Sequence, residues 1–506
     1  MNDNFDLKSN IYVEKREQFS YPCKEYAFSP SVNYPEYLFN DIADEPNEIY
    51  DMVRSLLYGM ELDVEHYSTS YWNPLGEIIN PGDDVVIKPS MVIHRHLADE
   101  SLGTAAVITN PSIVRAVADY CLIALEGKGS LTIGDAPIQS CDFDSLIHSS
   151  GYAELFNFYH LHGIEVKFKD FRLTQSSKIR RVGISNISDL KECAGDDEGY
   201  IAVNIGKDSM LMDRIEHYER MMVTNYDPRN MKIHHNPEVN EYLIPKSILN
   251  ADVIINIPKP KTHRKAGITA AMKNLVGING HKDWLPHHTR GPKSEGGDEY
   301  LFKSLLKHLH TLATERADVA GITGRSFVAF CWSIVSRAFM LAAKFFCKDK
   351  FFEGSWYGND TIWRTVCDLN RILMYSNKQG VLCEERQRKY MQIGDIIISG
   401  EGEGPLKPIP KKIGIIAGAL NPLAFDTAIC SLMGFDWKKV PNIRGAYGIS
   451  TYPIQEAARE SLCIRSNEQE WDKVNPLDVS MKKSFQYRPS EGWLGHIELG
   501  GIEHES

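Results

Sequence analysis

What the 506-residue chain lacks narrows its chemistry first. Its ten cysteines are scattered, and no two lie closer than sixteen residues. That spacing excludes C-x-x-C zinc knuckles and local iron–sulfur runs, so no iron–sulfur cluster is expected. The pattern suits reduced thiols in the cytosol, most of them small core residues. The sequences H-E-x-x-H, H-x-x-E-H and G-x-S-x-G are absent, which removes the standard zinc-protease and α/β-hydrolase signals. The opening MNDNFDLKSN is polar and acidic and holds no apolar signal region, so the expected location is cytoplasmic. Positive charge is also short: a net charge of -11 disfavours non-specific nucleic-acid binding, although a local basic pocket is compatible with it. Short-period repeats and low-complexity tracts are missing. What is present, 43% hydrophobic and 24% charged residues, belongs to a globular chain with a large core.

The order of patterns predicts an α/β fold with a mostly parallel, Rossmann-like sheet in two parts and a helical insertion. Residues 1–75 read as an N-terminal extension, with a helix near Glu48–Gly59. Residues 76–299 alternate strand and helix. Asp84-Val85-Val86-Ile87 feeds Lys88-Pro89-Ser90. Thr109-Asn110-Pro111 opens a helix by capping and by proline at the first turn, and the helix runs to about Leu125. Leu131-Thr132-Ile133 ends at Gly134-Asp135-Ala136-Pro137. Residues 300–385 read as helical. Residues 386–445 return to α/β with a strand at 413–417 and a helix that carries Asp426 and ends at Gly434. Residues 446–506 form a polar, irregular tail.

Chemistry concentrates between Ala251 and His288. Val253-Ile254-Ile255-Asn256-Ile257 has the length and branching of a buried strand, and Pro258 and Pro260 end its pairing. Lys259, Lys261, His263, Arg264 and Lys265 follow at once, where open α/β sheets build ligand sites. Lysines there suit phosphate or carboxylate, and His263 suits a metal or a proton. A solvated basic loop is the plain alternative. Lys273-Asn274 lies among small residues on a helix candidate, where a lysine is either buried with an anionic partner or snorkelling from an edge. Lys282 and the pair His287-His288 come next. Adjacent histidines on a strand point to opposite faces, so each such pair offers a metal one ligand at most. Asp135 and Asp426 follow strands, where an acid can orient a histidine, bind metal or cap a helix. In Gly400-Glu401-Gly402-Glu403-Gly404-Pro405, alternating glycines allow close backbone approach, and Glu401 and Glu403 offer carboxylates to a divalent metal. The Lys-Ser/Thr ending of a P-loop is missing there.

The run Ser326–Phe346 is apolar and long enough to invite a transmembrane reading. Ser326, Ser333, Arg337, Lys344 and Lys348 recur at spacings of seven and four, which places them on one helical stripe. Three readings stay open: a core helix with a solvent stripe, a membrane-surface helix or lid, and a span made costly by Arg337.

The motifs KPS near 88, TNPSIVRAV near 109, IGDAP near 133, ADVIINIPKPKTH, AMKNLVG, GEGEGPL and ALNPLAFDTAICSLMGF occur in one order. Together they resemble the domain-of-unknown-function 362 family over roughly 80–445. The resemblance implies an α/β fold with polar residues gathered at one site. On this chain those are Lys88, Asp135, Lys259, Lys261, His263, Lys273, Asn274, Lys282 and Asp426. Many relatives append a ferredoxin-like cysteine cluster that this chain lacks. The segment WYGNDTIWR resembles a subgroup associated with bacterial cell-surface polysaccharide genes. The expectation is an enzyme with an anion-binding site, assisted by a divalent metal at Glu401 and Glu403. Lys88, Lys259, Lys261, Asn274 and Lys282 would bind a phosphorylated, nucleotide-linked or lipid-linked saccharide, and His263, Lys273, Asp135 and Asp426 would be catalytic. Two alternatives stand beside it. One is proton abstraction next to a carboxylate, as in isomerases and racemases. The other is a non-catalytic scaffold that touches the inner membrane through residues 326–348.

Overall fold

Short β-branched runs alternating with helices produce a ten-stranded, mostly parallel sheet. The computed structural model describes residues 8–182, 185–224 and 226–500, the side chains of residues 176–190 excepted. The strands are β1 (Asn10–Lys15), β2 (Asp84–Pro89), β3 (Ser130–Asp135), β4 (Val166–Asp170), β5 (Val253–Ile257), β6 (Lys261–His263), β7 (Gly267–Thr269), β8 (Lys389–Glu403), β9 (Lys407–Ala419) and β10 (Cys463–Ser466). Across the sheet they run β10-β1-β9-β8-β5-β2-β3-β4, with β6 paired to β7 and β8. The strands β8, β5, β2, β3 and β4 are parallel. β9 is antiparallel to β8 and to β1.

The helices include α1 (Glu48–Gly59), α2 (Pro111–Leu125), α3 (Ala271–Asn274), α4 (Leu305–Ile322), α5 (Ser326–Phe346), α6 (Ile362–Tyr375) and α7 (Pro422–Met433). The sheet is covered on both faces, and alternation along each strand sorts the side chains. Val85, Ile87, Val253 and Ile255 pack with α1 and α2 on one face. Val86 and Ile254 pack with α6 and α7 on the other. Burial on both faces explains why β5 reads as a continuous apolar run. The expected cap on α2 forms: the Asn110 side chain accepts from the Ser112 N–H, and Pro111 fills the first turn.

Four expectations need correction. Residues 1–75 are not a mere extension, because β1 is an interior strand between β9 and β10. The tail is not irregular throughout: it supplies β10, and Trp493 is fully buried with its Nε1 donating to the Arg264 carbonyl at 2.8 Å. The glycine-rich run is not a ligand loop. Residues 400–403 lie in the β8–β9 ladder, where Glu401 pairs with Ile409 and Glu403 with Lys407. Finally, of the three readings left open for α5, the core helix with a solvent stripe does not fit. Its small and polar residues Ala329, Ser333, Ser336 and Ala343 are buried, while Phe327, Val328, Ile334, Val335, Leu341, Phe345 and Phe346 are exposed.

Candidate functional site

The site forms where β2, β3 and β5 end, at their C-terminal edge, as open parallel sheets favour. Lys88 closes β2 and Asp135 closes β3, and their charged atoms meet at 2.8 Å. Asp135 also accepts from the Met91 N–H at 2.7 Å and the Ala136 N–H at 2.9 Å, so both its oxygens are engaged. Gly277 passes directly over this pair. A Cβ there would lie 1.8 Å from Asp135 Oδ1 and 2.6 Å from Lys88 Nζ, which explains the glycine after AMKNLV.

Three buried polar side chains position the one-turn helix α3. Asn256 on β5 donates from Nδ2 to the Ala271 carbonyl at 3.0 Å, and its Oδ1 accepts from Asn274 Nδ2 at 2.7 Å. Asp426 on α7 accepts from the Ala271 N–H at 2.6 Å and, through its other oxygen, from the Met272 N–H at 3.2 Å. Asn370 on α6 donates to the Met272 carbonyl at 3.0 Å. A helix this short has little stability of its own. These cross-links fix the direction of Lys273.

The result is a cavity of about 240 Å³ lined by Lys88, Asp135, His263, Lys265, Lys273, Asn274, Lys282 and His287, with Ser90, Tyr226 and Thr269 among the neutral walls. Cations outnumber acids there. Burial, followed by the neighbouring Lys88 and Lys265, lowers the Lys273 ammonium to about 7. Lys282 is also lowered to about 7, by burial and against the pull of Asp135. It donates to the Val276 carbonyl at 2.7 Å. Burial lowers Lys265 to about 8, although Glu353 pulls the other way. The buried hydroxyls of Ser90 and Thr269 have no hydrogen-bond partner among the described residues, an arrangement that a ligand or water would satisfy.

The two cavity histidines hold opposite tautomers. His263 Nδ1 accepts from the Lys265 and Ala266 N–H groups at 3.0 and 3.1 Å. Its ring hydrogen therefore sits on Nε2, which makes Nε2 a donor. Burial and the nearby Lys273 push its pKa well below the usual histidine value. His287 is the reverse: Nδ1 donates to the Leu285 carbonyl at 2.7 Å, leaving a lone pair on Nε2. Burial, then Lys265 and Lys273, keep it neutral too. A neutral proton donor and a neutral proton acceptor thus line one cation-rich cavity.

The structure brings together Lys88, Asp135, His263, Lys273, Asn274 and Lys282 of the expected residues. It places the others elsewhere. Lys259 pairs with Asp395 at 3.0 Å, both side chains fully buried, and Tyr21 bridges them. Lys261 donates to the Val107 and Lys259 carbonyls at 3.0 and 2.9 Å. These two lysines join segments rather than face the cavity. Asp426 supports α3 from behind, and burial pushes its carboxyl up to about 8. Glu401 pairs with Lys411 at 2.8 Å and accepts from the Arg488 N–H; Glu403 accepts from the Glu491 N–H. Both are therefore tied to the β-hairpin and the tail, outside the cavity. The cavity's own donors do not suit a divalent cation: its one lining carboxylate is saturated and its lysines repel positive charge. Lys265 belongs to the basic cluster marked in the sequence and His287 was weighed there only as one of a histidine pair, whereas Ser90 and Thr269 drew no notice as ligand groups. The adjacency rule for paired histidines was the available signal: His287 lines the cavity, and His288 is buried on a short strand outside it.

A sheet whose strand ends meet in a cation-lined cavity defines an α/β protein. Comparison with known families then gives its place. The chain belongs to the family described as domain of unknown function (DUF362), matched over residues 85–193 and 193–431. No curated protein matches it.

Proposed function

We propose that this protein is an enzyme that binds the anionic group of a small substrate, a phosphate or a carboxylate, and transfers a proton beside it. One observation carries the reading. Lys265, Lys273 and Lys282 share a buried cavity whose only lining carboxylate is already held by Lys88 and two backbone amides. Burying ammonium groups without a carboxylate partner opposes folding, and an anionic ligand reverses the penalty. In the proposed mechanism Lys273 and Lys282 hold the anion, Lys88 with Asp135 fixes the floor, and Asn274 orients the ligand. His287 Nε2 takes the proton, and His263 Nε2–H donates to the oxygen that gains charge.

The cavity, at about 240 Å³, is smaller than the roughly 300–1,000 Å³ of drug-sized sites. It encloses the head of a ligand and not a whole nucleotide sugar. The substrate class proposed is therefore the phosphorylated end of a saccharide, with any nucleotide or lipid portion outside. The opposite tautomers of His263 and His287 favour a second reading, abstraction of a proton next to a carboxylate.

Solvent deuterium exchange distinguishes the two. Sugar phosphates and hydroxy acids are incubated with the full chain in deuterated buffer and followed by proton NMR. Wash-in at a carbon beside a carboxylate supports the second reading; turnover of a sugar phosphate supports the first. Undiminished turnover in both His287→Gln and Lys273→Met would contradict the site itself.

A further inference from the structure

The helical hairpin of α4 and α5 is built inside out for a core element. Its inner seam is polar: Ser336 Oγ lies 2.7 Å from Thr314 Oγ1 and 2.8 Å from His310 Nδ1. Its outer side is apolar. Phe327, Phe345 and Phe346 are 78%, 82% and 83% exposed, and Val328, Ile334, Val335 and Leu341 are exposed beside them. Leaving so many large apolar groups in water forgoes their burial, and a contiguous patch of this kind marks a docking surface.

Charge identifies the occupant. The chain carries a net charge of -11. The hairpin's outer segment reverses that sign: Arg325, Arg337, Lys344, Lys348 and Lys350 accompany α5, and the single acid, Asp349, is bonded to Lys307 within the hairpin. Arg316 adds a guanidinium stacked 4.6 Å over Trp332, and Arg316 and Arg325 make no ion pair among the described residues. Aromatic and aliphatic groups ringed by cations match the acyl boundary and headgroups of an anionic bilayer.

We infer that α5 docks on an anionic phospholipid surface, lying in its plane with Phe327, Phe345 and Phe346 submerged and the flanking lysines and arginines at the headgroups. The helix is long and apolar enough to cross a bilayer. It lies flat instead, because its seam with α4 buries hydrogen-bonded polar groups and α4 itself carries Lys307, Glu315, Arg316 and Asp318. This inference is independent of the cavity's chemistry.

The test is co-sedimentation of the full chain with phosphatidylcholine vesicles, with and without phosphatidylglycerol. Binding at least tenfold tighter to the phosphatidylglycerol vesicles, weakening with salt, is expected. The double variant Phe345→Ser/Phe346→Ser should lose tenfold or more with an unchanged melting temperature, since both rings are exposed. Lys344→Glu/Lys348→Glu should lose the preference for phosphatidylglycerol. Absence of vesicle binding by the wild type, or binding unaltered in both variants, overturns the inference. So does a wild-type dimer that ignores vesicles and falls apart on Phe345→Ser/Phe346→Ser, because the face then belongs to a second copy.

Discussion

Replacing Lys273 with methionine should separate stability from function. The ammonium sits in a cavity with other lysines, and its pKa falls from 10.5 to about 7. At pH 7 that difference corresponds to about 4 kcal/mol of lost stability. Relaxation and water in the cavity reduce it, so a gain of about 2 kcal/mol is expected for Lys273→Met. Methionine preserves most of the side chain's length and volume, which limits any packing loss. Melting entropy grows with chain length, at about 2.1 cal/mol/K per residue, so for 506 residues a gain of this size corresponds to a rise of about 2 °C without ligand. Inorganic phosphate should raise the wild-type melting temperature, by a stabilisation of about 2.7 kcal/mol at a hundredfold excess over Kd. The variant should not respond. The assay is calorimetry of both proteins with and without phosphate. A Lys273→Met protein that melts lower than wild type and still responds to phosphate would instead mark Lys273 as a satisfied structural group with no part in anion binding.

Further outcomes follow from the same geometry. Between pH 7 and 10 the unfolded chain binds protons that folded Lys273 and Lys282 do not. Ligand-free stability should therefore rise with pH across that window, by up to about 1.4 kcal/mol per pH unit for each lysine, and level off below pH 7; chemical denaturation at stepped pH measures it. Phosphate affinity should fall over the same window, which titration calorimetry reads. Asp426→Ala strands the Ala271 and Met272 N–H groups and should cost about 2–4 kcal/mol, whereas Asp426→Asn keeps one acceptor and should cost less. Lys259→Met leaves Asp395 buried without its cation and should cost about 3–5 kcal/mol in denaturant melts, marking a structural lysine. Glu401→Gln with Glu403→Gln should change stability by no more than about 1 kcal/mol and leave the phosphate response intact.

Much of this was legible in the sequence, and the misses share a cause. The buried strand at Val253–Ile257, the capped helix from Pro111 and the helix carrying Asp426 are local patterns, and they appear where periodicity and caps put them. Asp135 and Lys273 stood out because a charged residue at a strand end or among small residues is conspicuous, Lys88 and Lys282 came with the family resemblance, and all four line the cavity. Which lysines reach the cavity was not legible. Lys259 and Lys261 differ from Lys265 only in which segments pack over them: Asp395 and Tyr21 meet Lys259, and the Val107 carbonyl meets Lys261. Those partners are far away in the chain. Asp426 presents the same problem, since an acid after a strand caps a helix or meets a ligand according to what lies opposite. The reversed polarity of α5 was hidden because helical spacing shows which residues share a face, and tertiary packing decides which face turns inward.

Titration calorimetry decides whether the lysine-lined cavity binds an anion. Phosphate, pyrophosphate and malonate would each be added to the wild-type chain at pH 8 in two buffers of different ionisation enthalpy. Saturable one-site binding of at least one anion is expected, with protons taken up as Lys273 and Lys282 become charged, and loss of both signals in Lys273→Met. Absence of saturable binding for all three anions, or binding without proton uptake that survives in Lys273→Met, would contradict an anion site there.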